Sequence, residues 1–357
     1  MRVGLVFGGR SVEHRVSVNS ARTVATALKQ AGHEVIALGI AQDGSWLGGT
    51  LSQAALSGEI DAMESTGGGI RKSFRPFLET DIDVVFPVVH GTWGEDGTLQ
   101  GLCEMLDVPY VGANVTASAL AMDKLQCKRL LMGLDVPVVD YEAVTAIEFR
   151  KSAQQCLARL ERLGAPVFVK PSCGGSSVGV QRVADPADLV AALEMALRFD
   201  DTVIVERAIE GRELECSVLG DETLEASAIG EIVPGNDFYD YQDKYLQDEA
   251  ELKIPADLPA AGAEQVKDLA VRAFAAVGGS GMARVDFLMD GAGALYVNEI
   301  NTLPGFTRIS MYPKLWEESG LTLPELVDRL VQIAIDCHQR RTRLDQAIKT
   351  WLESIES

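Results

Sequence analysis

The sequence predicts an α/β protein: an N-terminal parallel-sheet βαβ domain followed by two further domains of mixed α and β structure. Three observations carry this. Apolar runs and helical periodicities alternate through residues 1–115, the order that gives a parallel sheet with ligands at the C-terminal ends of its strands. Two segments of period-2 alternation, 283–289 and 294–301, flank Asp290-Gly291-Ala292-Gly293, which reads as a four-residue hairpin turn. The 357 residues are 47% hydrophobic and 24% charged. That excludes global disorder and suffices for two or three domains at roughly 100–200 residues each.

In chain order, Val3–Phe7 is a short apolar run ended by Gly8-Gly9. A helix follows, with Val18, Ala21, Ala25 and Leu28 on one face, and Gly32 stops it before the strand Val35–Ile40. Residues 42–70 give only a weak, Gly- and Ser-containing pattern, and Val84–Val89 is the next buried strand. The spacing predicts one helix from Thr116, its N-cap, to Gly133 just past its end. A second domain over 116–210 continues with Val136-Pro137-Val138, a helix near 151–163 and the strand Val167–Lys170. It then has a Gly/Ser loop, the outgoing strand Val178-Gly179-Val180, a helix at 188–199 and the strand Val203–Glu206. A third, over 211–357, opens on the alternating strand Leu214–Val218. Residues 235–253 are polar, aromatic and aperiodic, and long loops of that kind are often lids. A helix over 261–277, the hairpin and further helices complete the chain, with a polar helical tail over 338–357.

The net charge of −20 repels polyphosphate backbones and anionic lipid, which argues against a nucleic-acid or membrane-surface partner. No apolar run approaches the ~18 residues of a membrane span. The N-terminus reads straight into a strand, with no signal-peptide core. Six cysteines without CxxC spacing and only four histidines make a zinc site improbable and fit a reduced, cytoplasmic protein. Five of the cysteines lie in apolar or helical patterns. Cys173 instead sits in the Gly/Ser loop.

Three segments carry chemistry. A four-residue turn pairs Met289 with Ala294, Asp286 with Val297 and Arg284 with Glu299, and alternation then puts Arg284, Asp286, Glu299 and Asn301 on one face. Two carboxylates and an amide oxygen suit a hard cation such as Mg²⁺; the same pattern also fits a surface hairpin with a cross-strand Arg–Glu pair. Asn301-Thr302-Leu303-Pro304-Gly305 adjoins it, and Gly305 allows a backbone N–H to approach a ligand. The loop Lys170–Gly179 offers amides, hydroxyls and the Lys170 charge to phosphate, or is simply a mobile turn; it is not a Walker A loop. Gly8-Gly9-Arg10-Ser11-Val12-Glu13-His14 lacks GxGxxG, and Glu13 suits either a ligand ammonium or the helix dipole. His90 sits at the C-terminal end of a strand, a pocket position.

These segments resemble the D-alanine–D-alanine ligases of the ATP-grasp superfamily over essentially the whole chain. The matching blocks come in family order: GGRSVEH with Ser17, HGTWGEDG with Gln100-Gly101, MDK at 122–124, VKPSCGGSSVGV at 169–180, FYDYQDKY at 238–245, ARVDF at 283–287 and NEINTLPGFTRISMYP at 298–313. The resemblance implies a three-domain enzyme that clamps ATP between its second and third domains. It implies phosphate contacts for Lys124 and Lys170, a closing loop with Ser176, Ser177 and Val178, an adenine hinge at Glu206 and Ile209, and Glu213 at the ribose. Phe238, Lys244, Asn298 and Glu299 also face the nucleotide, and Asp286, Glu299 and Asn301 hold two Mg²⁺ ions, with Mn²⁺ as a substitute. Glu13, linked to Ser176 and Tyr245, binds the first D-alanine ammonium, and His90 lies by its carboxylate. Ser310 and Met311 receive the second carboxylate, and Arg284 with the Gly305 N–H holds the oxyanion. The partners implied are two D-alanines and ATP, and the assembly a homodimer.

The chain keeps the family's FYDYxxKY lid pattern, which the D-lactate-using relatives replace. It departs at Val12, where a small residue is common, at Arg15, where an acidic one is common, and at Cys173-Gly174, where longer polar residues are frequent. The first two bear on packing near Glu13 and the last on loop closure, with Cys173 either alkylation-sensitive or inert. Competing readings are a D-alanine–D-lactate or D-alanine–D-serine ligase, a non-catalytic ATP-binding sensor, and an oxidoreductase with a dinucleotide-binding first domain.

Overall fold

A computed structural model describes residues 1–60, 63, 69–233 and 251–356. Phe238, Lys244 and Tyr245 of the expected lid lie outside the described residues. Three sheets account for the strands. The first is parallel, with β1 (Arg2–Gly8) between β2 (Glu34–Ile40) and β3 (Val84–Pro87). The second has the order β4-β7-β5-β6 from β4 (Tyr141–Thr145), β5 (Val167–Pro171), β6 (Gln181–Val183) and β7 (Thr202–Arg207). The third has the order β10-β9-β8-β11-β12 from β8 (Gly211–Gly220), β9 (Leu224–Val233), β10 (Glu251–Lys253), β11 (Gly281–Asp290) and β12 (Leu295–Asn301). The pairings in the second and third sheets are antiparallel.

The parallel sheet is buried on both faces, and the helix His14–Gln30 lays Val18, Ala21, Ala25 and Leu28 against it. The helix Leu323–Glu356 adds Leu326, Val327, Leu330 and Val331 to the same core. Phe306 and Tyr312, both fully buried, join that core from the chain that follows β12, so the two ends of the molecule share one hydrophobic cluster. Burying this apolar surface is the main stabilising term, at about 25 cal/mol per Å². Among the described residues no helix is long and apolar enough to cross a membrane.

Several local expectations are corrected. The single helix over 116–133 is two, Val115–Met122 and Lys124–Gly133. Asn114, not Thr116, caps the first through its side chain. Asp123 breaks the run because its carboxylate accepts from the Leu125 and Gln126 amides as a new N-cap, and from Ser172 Oγ at 2.6 Å. Residues 42–70 contain the helix Gly49–Ser57. Val178-Gly179-Val180 is a turn, closed by bonds from the Val178 and Val180 amides to Gly175 and Ser177, and the strand begins at Gln181. Part of the expected 235–253 loop is strand β10.

The hairpin register also differs. Asp290 pairs with Ala294 around three residues, with Gly293 at φ 86°, while Asp290 Oδ1 accepts from the Ala292 and Ala294 amides. Met289 therefore faces Leu295. A register shift between Phe287 and Asp286 then brings Asp286 opposite Glu299 and Arg284 opposite Asn301, leaving Asn298 as the extra residue.

Asp123→Ala removes the cap that separates the two helices. It should cost about 1–2 kcal/mol in urea unfolding; an unchanged midpoint would contradict the cap.

Candidate functional site

The site begins on the second sheet, where antiparallel pairing sets Phe168 opposite Glu206 and Lys170 opposite Ile204, so that Phe168, Lys170 and Glu206 share a face. Lys170 Nζ donates to Glu206 Oε2 at 2.7 Å and to Asn298 Oδ1 at 3.3 Å. The other carboxylate oxygen is 2.9 Å from Lys128 Nζ. Burial pushes the Glu206 carboxyl up, but the ammonium groups of Lys128 and Lys170 outweigh it and hold the group at about 2. Lys124 Nζ donates to the Gly174 carbonyl at 2.7 Å, tying the Gly/Ser loop to the start of its helix.

That loop is shaped by Ser176 and Ser177, both in the left-handed region at φ 50° and 56°. The Ser176 hydroxyl is buried with no hydrogen-bond partner among the described residues. Strain and an unmet polar group together mark a segment built to meet something else. Cys173 is the exposed cysteine, and its thiol is pushed up to about 11 by partial burial and by Asp123 and Asp200. Its backbone N–H donates to Asp200.

Facing this sheet, β11 and β12 present Leu288, Asn298 and Glu299. With Lys124, Lys170 and the loop they line a cavity of about 480 Å³. Glu206, Ile209 and Glu213 border it along the connection from β7 to β8, as do Ser176, Ser177 and Val178. Of the expected nucleotide set, only Phe238 and Lys244 fall outside the described residues. The bulge explains the placement, because in a regular ladder Asn298 and Glu299 would point to opposite faces.

Deeper on the same face, Arg284 Nε and Nη2 donate to both oxygens of Asp286 at 2.7 Å. Glu215, opposite Asp286 on β8, reaches Arg284 Nε at 3.0 Å. Burial disfavours the Arg284 charge, but Asp286, Glu215 and Glu299 raise its pKa well above the ordinary arginine value. Asn301 Oδ1 accepts from the Leu303 amide. Among the described residues no three His, Cys, Asp or Glu side chains surround one point. Asp286, Glu299 and Asn301 offer oxygen donors of the kind a hard cation such as Mg²⁺ takes together with phosphate and water, with both Asp286 oxygens engaged by Arg284 in this structure.

The N-terminal region abuts the Gly/Ser loop. Glu13 Oε2 lies against both Gly91 and Gly175, where an added Cβ would come within 2.9 and 3.2 Å of it. This carboxylate therefore joins the N-terminal sheet to the phosphate-type loop. His90 is buried; its Nδ1 donates to the Leu303 carbonyl at 3.0 Å and its Nε2 is 3.0 Å from Ser20 Oγ, which accepts from the Phe306 amide. Burial lowers the His90 pKa, but Glu95 at 3.5 Å, with Glu13 and the Leu303 carbonyl, outweighs it and raises the pKa above 6.5. Gly305 packs so near Ser310 that a Cβ would meet Ser310 Oγ at 2.7 Å. Ser310 precedes the helix Met311–Glu318 but does not cap it. Its hydroxyl accepts from the Thr307 amide instead, leaving the first helical N–H groups without a side-chain cap from Ser310.

Sequence reasoning missed Lys128, Glu215 and Glu95. Lys128 had a signal, being a lysine on the apolar face with Leu125 and Leu131, all three buried. Glu215 had none, since Arg284 is distant in sequence; Glu95 lies in the same HGTWGEDG block as His90, but nothing in that block marks the two as a pair.

A nucleotide-sized cleft with Lys170 on one antiparallel sheet, Lys124 at the start of an adjoining helix and carboxylates on the other sheet is the ATP-grasp arrangement. Family models agree: one described as D-ala D-ala ligase N-terminus matches residues 2–113, and one described as D-ala D-ala ligase C-terminus matches residues 130–332. A D-alanine–D-alanine ligase of Halothermothrix orenii is 45% identical over 94% of this chain and 98% of its own. D-alanine–D-alanine ligase A of Chromobacterium violaceum is 43% identical over 98% of each. The solved D-alanine–D-alanine ligase of Coxiella burnetii superposes with TM-score 0.82 at 35% identity over 98% of this chain and 99% of that one. The VanG D-Ala:D-Ser ligase of Enterococcus faecalis superposes with TM-score 0.80 at 31% identity, covering 93% and 99%. The chain belongs to the D-alanine–D-alanine ligase family.

Two outcomes follow from the titrating groups. Folding raises the His90 pKa, so the stability it contributes is fully present below pH 6.5 and is lost as pH rises through the folded value. Glu95→Gln should therefore cost most near pH 6 in urea unfolding and progressively less at higher pH; a gap independent of pH contradicts the pairing. Cys173, mostly thiol at neutral pH, should react with iodoacetamide at pH 7.5 more slowly than a free cysteine, and faster reaction contradicts its assigned surroundings.

Proposed function

We propose that the protein joins two D-alanines to D-alanyl-D-alanine, converting ATP to ADP and phosphate through a D-alanyl phosphate, for peptidoglycan precursor synthesis. The observation that supports it most is that Lys170 and Glu206 of one sheet and Asn298 and Glu299 of another line a single cavity. Net charge −20 argues against nucleic acid as a partner. We place the protein in the cytoplasm, as a homodimer, with divisions near residues 115 and 210.

In this reading Glu206 and the Ile209 backbone take the adenine, Glu213 the ribose, and Lys124, Lys170 and the 176–178 loop the phosphates; Phe238 and Lys244 close over the nucleotide. Glu13 accepts the ammonium of the first D-alanine, and protonated His90 faces its carboxylate. That carboxylate attacks the γ-phosphorus, and the lysines spread the growing charge. Asp286, Glu299 and Asn301 would hold two Mg²⁺ or Mn²⁺ ions, which would supply positive charge to the transferring phosphate. The second carboxylate rests at Ser310 and the Met311 N–H, since a helix N-terminus favours an anion. Its amine attacks the acyl phosphate. Arg284 and the Gly305 N–H hold the oxyanion, and phosphate leaves with the carbonyl restored. Ser176 and Tyr245 tie the lid to Glu13, and the lid keeps water from the acyl phosphate.

A second reading, D-alanyl-D-serine synthesis, is favoured by the likeness to the VanG D-Ala:D-Ser ligase. Phosphate release from ATP and Mg²⁺ should require D-alanine, fail with L-alanine, and yield D-alanyl-D-alanine by mass. Preferential formation of the D-serine product in a D-alanine/D-serine mixture supports the second reading, and nucleotide binding without turnover contradicts both. Glu299→Gln should lower phosphate release by about 100-fold or more, the scale of losing a group that stabilises transition-state charge; near-normal release contradicts its assignment.

A further inference from the structure

Lys128 is 2% exposed, yet it is a lysine on a helix face otherwise turned to the core. It does not line the cavity, whereas Lys170 and Glu206 do. Its Nζ lies 2.9 Å from Glu206 Oε1 and 6.0 Å from the Tyr141 ring centroid. Each oxygen of Glu206 thus has its own ammonium: Lys128 on Oε1, Lys170 on Oε2. One carboxylate between two lysines leaves an excess positive charge. A buried ion pair seldom adds net stability over apolar packing, so stability alone does not explain the second lysine.

We infer that Lys128 is a positioning residue for nucleotide selection: a fixed counter-ion that keeps the Glu206 carboxylate charged and in place when Lys170 leaves it for a phosphate. This rests on the ligase reading above. The asymmetry of the two lysines supports it. Lys170 is the more exposed, at 13%, and already shares its ammonium with Asn298 on the opposite sheet, so it has somewhere to turn. Lys128 is enclosed between Glu206 and the Tyr141 ring. When an incoming phosphate draws Lys170 away, Lys128 and Glu206 remain as a neutral pair. Without Lys128, the same movement would strand a buried carboxylate, which then either retains Lys170 or takes a proton. In the first case the phosphate loses a cation. In the second, the exocyclic amino group of adenine loses an ionised acceptor, and hydrogen bonds to charged acceptors are the stronger ones. Lys128 therefore couples base recognition to phosphate binding without touching the nucleotide.

The test is Lys128→Met in the full chain, since methionine keeps the length and apolar stem and removes the charge. Calorimetry would compare binding of Mg·ATP with Mg·purine riboside triphosphate, which lacks the 6-amino group, alongside KM and kcat for ATP. The wild type should prefer ATP. K128M should bind ATP about 10- to 100-fold more weakly, prefer it by less than about threefold, and keep kcat at saturating ATP within about threefold. These are the sizes expected when one charge-assisted contact is lost from ground-state binding. Added to Glu206→Gln, K128M should weaken ATP little further, because the two residues act on one contact. Wild-type discrimination in K128M, or equal weakening of both nucleotides, overturns the inference, the latter by showing a packing role. If K128M does not fold, Lys128→Gln removes the charge while keeping an N–H beside Glu206, and the same outcomes decide. A wild-type chain that binds neither nucleotide overturns the ligase reading and this inference together; normal discrimination in K128M overturns the inference alone.

Discussion

Charge buried near charge is the constraint on which the site depends. Glu206, Asp286, Glu215 and Glu95 are all withdrawn from bulk water, and each meets a cation: Lys128 and Lys170, Arg284, and His90. Isolated burial of any of these carboxylates would be costly; Glu206 and Glu215 draw their partners from other strands and helices, while Asp286 and Glu95 find theirs nearby in the chain. In the proposed reading, Lys170 and Arg284 leave these carboxylates for the nucleotide's charges, while Lys128 and Glu215 remain in place.

The fold delivers those partners by simple means. Antiparallel pairing puts Lys170 and Glu206 on one face of the second sheet and Asp286 opposite Glu215 in the third. One extra residue in β12 turns Asn298 as well as Glu299 into the cleft. The N-terminal region packs against both of these regions, with Glu13 against Gly175 and His90 bonded to Leu303. The second contact joins the N-terminal region to the chain after β12 through polar groups, where Phe306 and Tyr312 join them through apolar ones.

Much of this was legible in the sequence because strand periodicity is short-range. Alternation alone placed Arg284, Asp286, Glu299 and Asn301 on one face, and glycines marked the loop after Lys170. The register was not legible: the turn is one residue shorter than Asp290–Gly293 suggests, and nothing in Tyr296-Val297-Asn298 signals a bulge. The apolar pair at Val178 and Val180 misled because period-2 alternation outweighed the unusual backbone of Ser176 and Ser177, which only the fold imposes. Asp123 was hidden inside a good helical pattern: its cap on the Leu125 and Gln126 amides is local, while Ser172 from a distant loop adds a further bond to the same carboxylate. Lys128 was visible as a charge on an apolar face, but its meaning required Glu206 beside it. Tyr245, Phe238 and Lys244 rest on the family resemblance alone.

The central claim is that this arrangement of charges activates a carboxylate by phosphoryl transfer, and oxygen tracing tests it most directly. D-alanine labelled with ¹⁸O in its carboxyl group would be turned over with unlabelled ATP in ordinary water, and the released phosphate analysed by mass. The account predicts one ¹⁸O in each phosphate, because the oxygen that attacks phosphorus leaves with it when the amine displaces the acyl phosphate. Unlabelled phosphate would mean that water, not the amino-acid carboxylate, is the acceptor, and would contradict the account.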